Sequence, residues 1–389
     1  MKGPNPVLLN QLTELRIMSK AWAEKNKSVE PKDIRTKDES YAHRNAMGTG
    51  PFMVKEWQPD QKLVLVKNPL WWGWANAKTN VTEIIYTPIK SEATRVAALL
   101  SGELDFVLDP SLQDLGRIRS GANLKVIDGV ENRTIFFGMD QHRDELPGSN
   151  IKGKNPLKDQ RVRMALYQGI DIASINRVTM RGLSQPTGAL VAPQVTGWTK
   201  GVDKRFAYDP EAAKKLLADA GYPNGFEVTL NCPNDRYVND ARICQTVAAN
   251  LSRIGVKINL AAETKGTYFP KILRRDTSFY LLGWTPSTGD AHDAMSALIA
   301  TPTEKGQGQF NLGAYSNPKF DELTLKVQAE TDEKKRNEMI REAFKIHADD
   351  VGHIPLHQQA LAWGFGNNVN LTQLPDNRMF FKWITLKSK

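Results

Sequence analysis

The feature that most constrains this chain is the run from Asp209 to Leu260, where one helix pattern is followed by strand, helix and strand patterns with clear stops. Asp209 stands as N-cap ahead of Pro210, which lacks only an N–H that would be unpaired at that position, and Glu211 places negative charge in the first turn. Apolar residues at Ala212, Ala213, Leu216, Leu217 and Ala220 run up to Gly221, which predicts a helix over 210–220. Phe226, Val228 and Leu230 then alternate as a strand. Ile243, Val247 and Leu251 recur at helical spacing up to Gly255, and Val256, Ile258 and Leu260 alternate again. Strand, helix, strand over 226–260 is a βαβ unit, which requires a parallel pair and a right-handed crossover and so places the chain in the α/β class.

The same reading applied elsewhere predicts a second βαβ unit. Val81 to Ile89 is a β-branched run, Ser91 caps a helix carrying Val96, Ala97 and Leu100 up to Gly102, and Leu104, Phe106 and Val107 form a short strand. Ahead of it, Phe52, Val54 and Trp57 face Leu63, Val64, Leu65 and Val66 across Pro59-Asp60, a hairpin. Asn317-Pro318 opens a helix through Phe320, Leu323 and Val327, and Asp332 opens another through Met339, Ile340, Ala343 and Phe344. Ile354-Pro355-Leu356 is an apolar, extended run. Residues 10–45 are mostly polar and read as the tail of an element.

At 389 residues the chain is long enough for two to three domains, and 40% hydrophobic with 24% charged residues is an ordinary globular mix. No apolar stretch approaches the roughly 18 residues a membrane span needs. The net charge of +9 is scattered. Its densest cluster, Lys152, Lys154, Lys158, Arg161 and Arg163, is broken by Gly153, Pro156 and Asp159 and has no interleaved aromatic residue, so a solvated basic surface is expected and no nucleic-acid partner. Cys232 and Cys244 are too few for a zinc site or a disulfide scaffold, and leave open one disulfide or two buried thiols. Met1-Lys2-Gly3-Pro4 offers one positive charge, but Asn5, Pro6, Asn10 and Gln11 break any apolar h-region, so no signal peptide is expected in this chain.

Motifs that would carry catalysis are incomplete. Gly148 to Asn155 reads GSNIKGKN, with Asn155 where a phosphate loop needs Ser or Thr, and Pro156 follows where a helix should continue. Gly48-Thr49-Gly50 lacks the third glycine of a dinucleotide fingerprint and reads as a turn. His353 and His357 have zinc-pair spacing, but Pro355 between them opposes a helix, so they are read as surface or strand histidines and no metal is expected. His292 beside Asp290 and Asp293 is the single catalytic candidate, the basis of an alternative reading as a hydrolase; without a nearby nucleophile a polar ligand contact is the better account, and neither catalytic residues nor a cofactor are assigned. Two loops leave the carboxyl ends of predicted strands, where open α/β sheets bind ligands: Asn234-Asp235-Arg236-Tyr237 and Gly283 to Asp293 with its large Trp284.

Taken in order, several stretches resemble the extracytoplasmic solute-binding proteins of the peptide and nickel ABC-importer family. They are Gly48-Thr49-Gly50-Pro51-Phe52, Asn68-Pro69-Leu70-Trp71-Trp72-Gly73, the run from Thr94 to Asp105, and Gln160 to Leu166. Tyr208-Asp209-Pro210 through Gly225-Phe226, then Ile254-Gly255-Val256, Gly283-Trp284 and Ile354-Pro355-Leu356, continue the series, so the resemblance runs from about residue 4 to 370. It implies a two-lobed periplasmic-binding-protein-like fold (type II, cluster C) with mixed sheets and helices on both faces. The first lobe would comprise 46–128 and 358–389 and the second 129–357, with crossings near Gly129-Val130 and Leu356 to Gln359 and residues 1–45 as the remnant of an extra subdomain. Family members carry a further N-terminal portion, so the first lobe is expected to be incomplete and the chain an N-terminally truncated form, with a non-functional fragment as one alternative.

The resemblance also implies a non-enzymatic, monomeric, periplasmic protein that captures a peptide or similar small polar solute and delivers it to the transmembrane subunits of an ABC permease. Trp284 would stack on the ligand, Thr285, Ser287 and Asp290 would supply polar contacts, and Arg236, Tyr237 and Asn311 would line the second-lobe side. One departure concerns the ligand. Dipeptide binders hold the ligand's amino terminus with an Asp shortly after the Gly-Trp pair; here that place is Ser287, with Asp290 three positions on, so recognition of a free amine is not carried over.

Overall fold

The computed structural model describes residues 3–32 and 38–387. Met1 and Lys2, which carry the one leader-like charge, lie outside the described residues, as do 33–37 within the expected subdomain remnant. The chain divides into two compact units, residues 15–127 with 362–389 and residues 1–14 with 128–361.

In the first of these, β1 (Phe52–Gln58) and β2 (Lys62–Lys67) form the expected hairpin, with Asp60 in the left-handed region at the turn. The Gly48-Thr49-Gly50 segment is a turn pinned by Asn68, whose Nδ2 donates to the Gly50 carbonyl at 2.8 Å. β3 (Glu83–Tyr86) adds antiparallel to β2. The helix Glu92–Ser101 begins at Ser91, whose side chain accepts from the Thr94 amide, and stops at left-handed Gly102. Beyond it β4 (Phe106–Leu108) pairs antiparallel with residues 363–365. The βαβ unit expected over 81–107 is therefore not formed. Its strands exist, but β3 and β4 join different sheets and both pair antiparallel, because the partner of β4 comes from the far C-terminal part of the chain.

Two long strands carry the chain between the units. β5 (Leu124–Met139) was not anticipated, and β10 (Ile354–Gly366) was visible only in its first three residues. In the unit of residues 1–14 and 128–361 the strand order is β10, β5, β9 (Phe279–Trp284), β7 (Phe226–Pro233), β8 (Val256–Glu263), with the short β6 (Gln185–Pro186) pairing β10. β7 and β8 run parallel in register from Phe226↔Val256 to Pro233↔Glu263 and are joined by the helix Asp240–Ser252, the predicted βαβ unit. β9 is parallel to β7 and antiparallel to β5, so the sheet is mixed. A small pair, β11 (Val369–Asn370) with β12 (Thr385–Leu386), closes the C-terminal segment of the other unit.

Helices cover both faces of this mixed sheet. The helix Asp240–Ser252 is tied to one face by the Cys232–Cys244 disulfide, which the structure forms, deciding between the two states the cysteine count left open. Tyr268 and Ile272, on the helix Lys265–Leu273, pack on the other face in a core shared with Phe136, Tyr280, Leu282, Met295, Phe320 and Ile340. Gly138 lies opposite Tyr280, and a Cβ there would fall 2.1 Å from the tyrosine ring, so glycine is needed to let the ring lie across the strand. The helix predicted over 210–220 spans Pro210–Asp219, with Asp209 capping Ala212 and Gly221 left-handed. The two predicted later helices run Pro318–Ala329 and Glu333–Asp349. Among the described residues no helix is long and apolar enough to cross a membrane.

Candidate functional site

Both loops singled out from the sequence leave the carboxyl ends of neighbouring strands, β7 and β9. The first, 234–239, is fixed at both ends: the disulfide joins the end of β7 to the following helix, and the Cys232 sulfur lies 3.5 Å from the Asp240 carbonyl oxygen. Asp240 folds the loop over itself. Its carboxylate accepts from the amides of Arg236 at 2.9 Å and Tyr237 at 3.0 Å. Burial lifts its carboxyl above the ordinary range despite those bonds. Asn239 takes the left-handed conformation and donates from Nδ2 to the Thr179 carbonyl at 2.8 Å.

Tyr237 and Arg236 thereby separate in role. Tyr237 is buried, and burial raises its hydroxyl above the ordinary value. Its ring packs on Gly283, where a Cβ would come within 2.7 Å of it. Arg236 is exposed, with its guanidinium 4.9 Å over the Tyr237 ring centroid and no ion pair among the described residues.

In the second loop Trp284 is half-buried, tilted against Phe310 at 4.9 Å, and donates from Nε1 to Asp293 at 2.9 Å. The other oxygen of Asp293 accepts the Ser287 amide at 3.0 Å and hydroxyl at 2.8 Å. Ser287 is exposed on this turn. Thr285 carries a buried hydroxyl with no hydrogen-bond partner among the described residues.

Two expected ligand contacts are corrected. Asp290 is 2% exposed and both its oxygens are held by Arg336, at 2.9 and 2.7 Å, while it also caps His292. This is a buried bidentate ion pair that ties the loop to the helix Glu333–Asp349, leaving Asp290 unable to reach a ligand or to orient His292 as a base. The hydrolase alternative loses its proposed carboxylate by the same fact. Asn311 is fully buried: its amide donates to the carbonyls of Ile299, Ala300 and Tyr315, and its oxygen accepts the Tyr315 amide. It builds a loop inside the core and lines no surface. Nor are His353 and His357 surface residues. Both are buried at the start of β10 or just before it, His353 against His347 at 2.9 Å.

The sequence reading missed the polar atoms on β5 and β10. Thr134 lies directly opposite Trp284 and is fully buried, yet its hydroxyl has no partner among the described residues. The Oδ1 of Asn132 and both ends of the fully buried Gln358 amide are also unpartnered there. One position along each strand, buried Glu131 accepts from Gln359 Nε2 at 2.6 Å and pairs with Arg133 at 2.9 Å. The available signal was polar residues interrupting apolar strand runs, at Asn132, Thr134 and Gln358-Gln359, but without the strands assigned it had no frame.

Residues 1–306 match the family of bacterial extracellular solute-binding proteins, family 5, middle region. The chain is 24% identical over 318 residues to heme-binding protein A of Haemophilus influenzae, covering 80% of this chain and 54% of that one. It is 24% identical over 316 residues to the dipeptide-binding protein of Escherichia coli, covering 79% and 55%. The chain thus spans about half the length of these curated relatives. Among solved structures, the periplasmic binding protein of Helicobacter pylori in complex with the peptide STSA superposes with a TM-score of 0.85 at 22% identity, over 100% of this chain and 71% of that one, a likeness of fold.

Proposed function

We propose, from the premise that the chain belongs to the bacterial extracellular solute-binding proteins of family 5, that it serves as the substrate-binding component of an ABC importer. In this reading it holds a peptide or similar small polar solute and passes it to the permease outside the cytoplasm, and its two compact units correspond to the two lobes of such proteins. The disulfide accords with an oxidising compartment.

The observation that carries the reading is a pair of unpartnered buried hydroxyls beside Trp284: Thr134, opposite it on β5, and Thr285, next to it in the chain. Leaving a buried donor or acceptor unbonded costs about 1–3 kcal/mol each, and native interiors rarely leave several together. A polar solute that displaced the groups now covering them beside Trp284 would satisfy them and stack on the ring. Charge narrows the solute further. Asp235, Asp240, Asp290 and Asp293 in these two loops all accept hydrogen bonds from this chain, whereas the exposed Arg236 guanidinium makes no ion pair among the described residues. That balance favours a solute anchored through carboxylate or amide groups over one held by a free amine.

The test is native mass spectrometry of protein purified without added ligand, with intact mass recorded after denaturation. A small molecule that co-purifies with the wild type, leaves unmodified on denaturation and is lost from Trp284→Ala supports a binding protein. A bound molecule released in cleaved form would instead point to an enzyme and sink the reading.

A further inference from the structure

The Arg236–Tyr237 loop, whose own amides are taken up by Asp240, is also tied to β5 and β10 through a second buried carboxylate, Glu131. Glu131 is fully buried on β5, just after the chain enters the unit at residue 128, and Gln359 lies on β10 just before the chain leaves it after 361. The Glu131 carboxylate makes two kinds of bond. One oxygen takes the Gln359 Nε2 at 2.6 Å; the other takes Arg133, from Nε at 3.0 Å and by ion pair at 2.9 Å. Each partner then reaches a different residue of the loop. The other end of Gln359, Oε1, accepts the Val238 backbone amide at 3.1 Å. The Arg133 guanidinium lies 5.9 Å over the Tyr237 ring, and its side chain borders the glycine gap at Gly283 into which Tyr237 packs.

We propose that Glu131 is a positioning residue: through Gln359 and Arg133 it fixes Val238 and Tyr237, and so holds the Arg236 guanidinium where the solute's charged or amide group is received. The proposal rests on the reading of this loop as a ligand site. A carboxylate can accept from both neighbours at once, and the low-dielectric surroundings strengthen each bond. A neutral amide at residue 131 cannot do both. Its single oxygen would serve Arg133 or Gln359, and its NH₂ would face a second donor.

Hydrogen exchange at single-residue resolution on the ligand-free protein tests this without knowledge of the solute. In Glu131→Gln the Val238 amide is expected to exchange on the order of tenfold faster, with amides of β7 and β8 unchanged. Gln359→Ala, which removes the link without unpairing Arg133, gives the same local change and serves if Glu131→Gln fails to fold. The double variant Glu131→Gln with Gln359→Glu restores Val238 protection, since the carboxylate at 359 accepts both the Val238 amide and the NH₂ of the new amide at position 131. Unchanged exchange at Val238, or an equal rise at every amide of the unit, overturns the positioning role. Calorimetry with the tetrapeptide Ser-Thr-Ser-Ala as probe supplies the second arm: a wild type that binds it and a Glu131→Gln variant about tenfold weaker supports the proposal, and equal affinities overturn it. Absence of binding by the wild type counts against the peptide-binding reading alone, and the exchange result then decides the role of Glu131.

Discussion

The two units use strand very differently. In the unit of residues 1–14 and 128–361, β9 is buried from Phe279 to Leu282, and helices on both faces enclose a core built around Phe136, Tyr280 and Leu282. In the unit of residues 15–127 and 362–389, the three-stranded sheet of β1, β2 and β3 buries only Val64, and Met53, Val54, Trp57, Ile85 and Tyr86 are exposed on it. Leu70 and Trp72 beside this sheet are 90% and 82% exposed. Buried apolar area is the main source of stability, at roughly 25 cal/mol per Å², so the β1–β3 sheet presents its apolar side chains to solvent while the buried core of its unit lies elsewhere, at Val96, Leu99, Leu115, Ile118 and Trp363. Buried polar groups need a dry and rigid frame, and Glu131, Thr134, Asp290, Asn311 and Gln358 all sit in the well-packed unit.

Acid should break the contrast most strongly. His347, His353 and His357 are all buried in the well-packed unit, where desolvation holds them neutral, His347 and His357 down to about 3 and His353 well below its usual value. In the unfolded chain they protonate near 6.5, so the unfolded state binds more protons and stability falls as pH drops from about 6.5 toward 3. With three such groups the loss reaches about 4 kcal/mol per pH unit. Denaturant unfolding at pH 7 and pH 4.5, followed by tryptophan fluorescence, should show the better-packed unit losing its advantage; equal midpoints would refute this.

Next in size is the buried ion pair. Asp290→Ala leaves Arg336 charged in the core without its carboxylate, the Val327 carbonyl alone accepting from its Nε, and a cost of about 3–5 kcal/mol is expected in denaturant melts. Reduction of Cys232–Cys244 ranks third, at about 2–4 kcal/mol, and should loosen residues 234–239 before the rest of the unit, as limited proteolysis with and without reductant would reveal. The smallest effect is expected at the exposed pair. Leu70→Ser with Trp72→Ser should change stability by no more than about 0.5 kcal/mol each while lowering binding of a hydrophobic dye. A large destabilisation there would mean that this face is packed in solution and would remove the contrast between the units.

Local pattern was enough for much of the architecture. The caps at Asp209, Ser91, Asn317 and Asp332, the stops at Gly102, Gly221 and Gly255, and the parallel unit over 226–260 all follow from side chains bonding to backbone within a few residues. So do the two loops beyond β7 and β9, because strand ends can be read from alternation. The ordered motifs carried the family. What local pattern could not settle was pairing: β3 and β4 looked like halves of one βαβ unit, and β10, buried along nearly its whole length, has no alternation to betray it.

The roles of individual site residues were decided the same way. Asp290 and Asn311 read as polar groups on loops, yet Arg336, 46 residues from Asp290, and the core carbonyls around Asn311 take up their bonding capacity. Conversely, Thr134 and Gln358, to which the sequence assigned no role, are buried without partners among the described residues. The α/β class, the helix limits and the loops where a ligand would be sought were thus legible from residue order, since those depend on neighbours along the chain. Which polar groups are already satisfied, which lack partners among the described residues, and how Gln359 comes to join Glu131 to the Val238 amide emerged with the folded arrangement, because a hydrogen bond depends on distance in space and these partners meet only when the chain has folded.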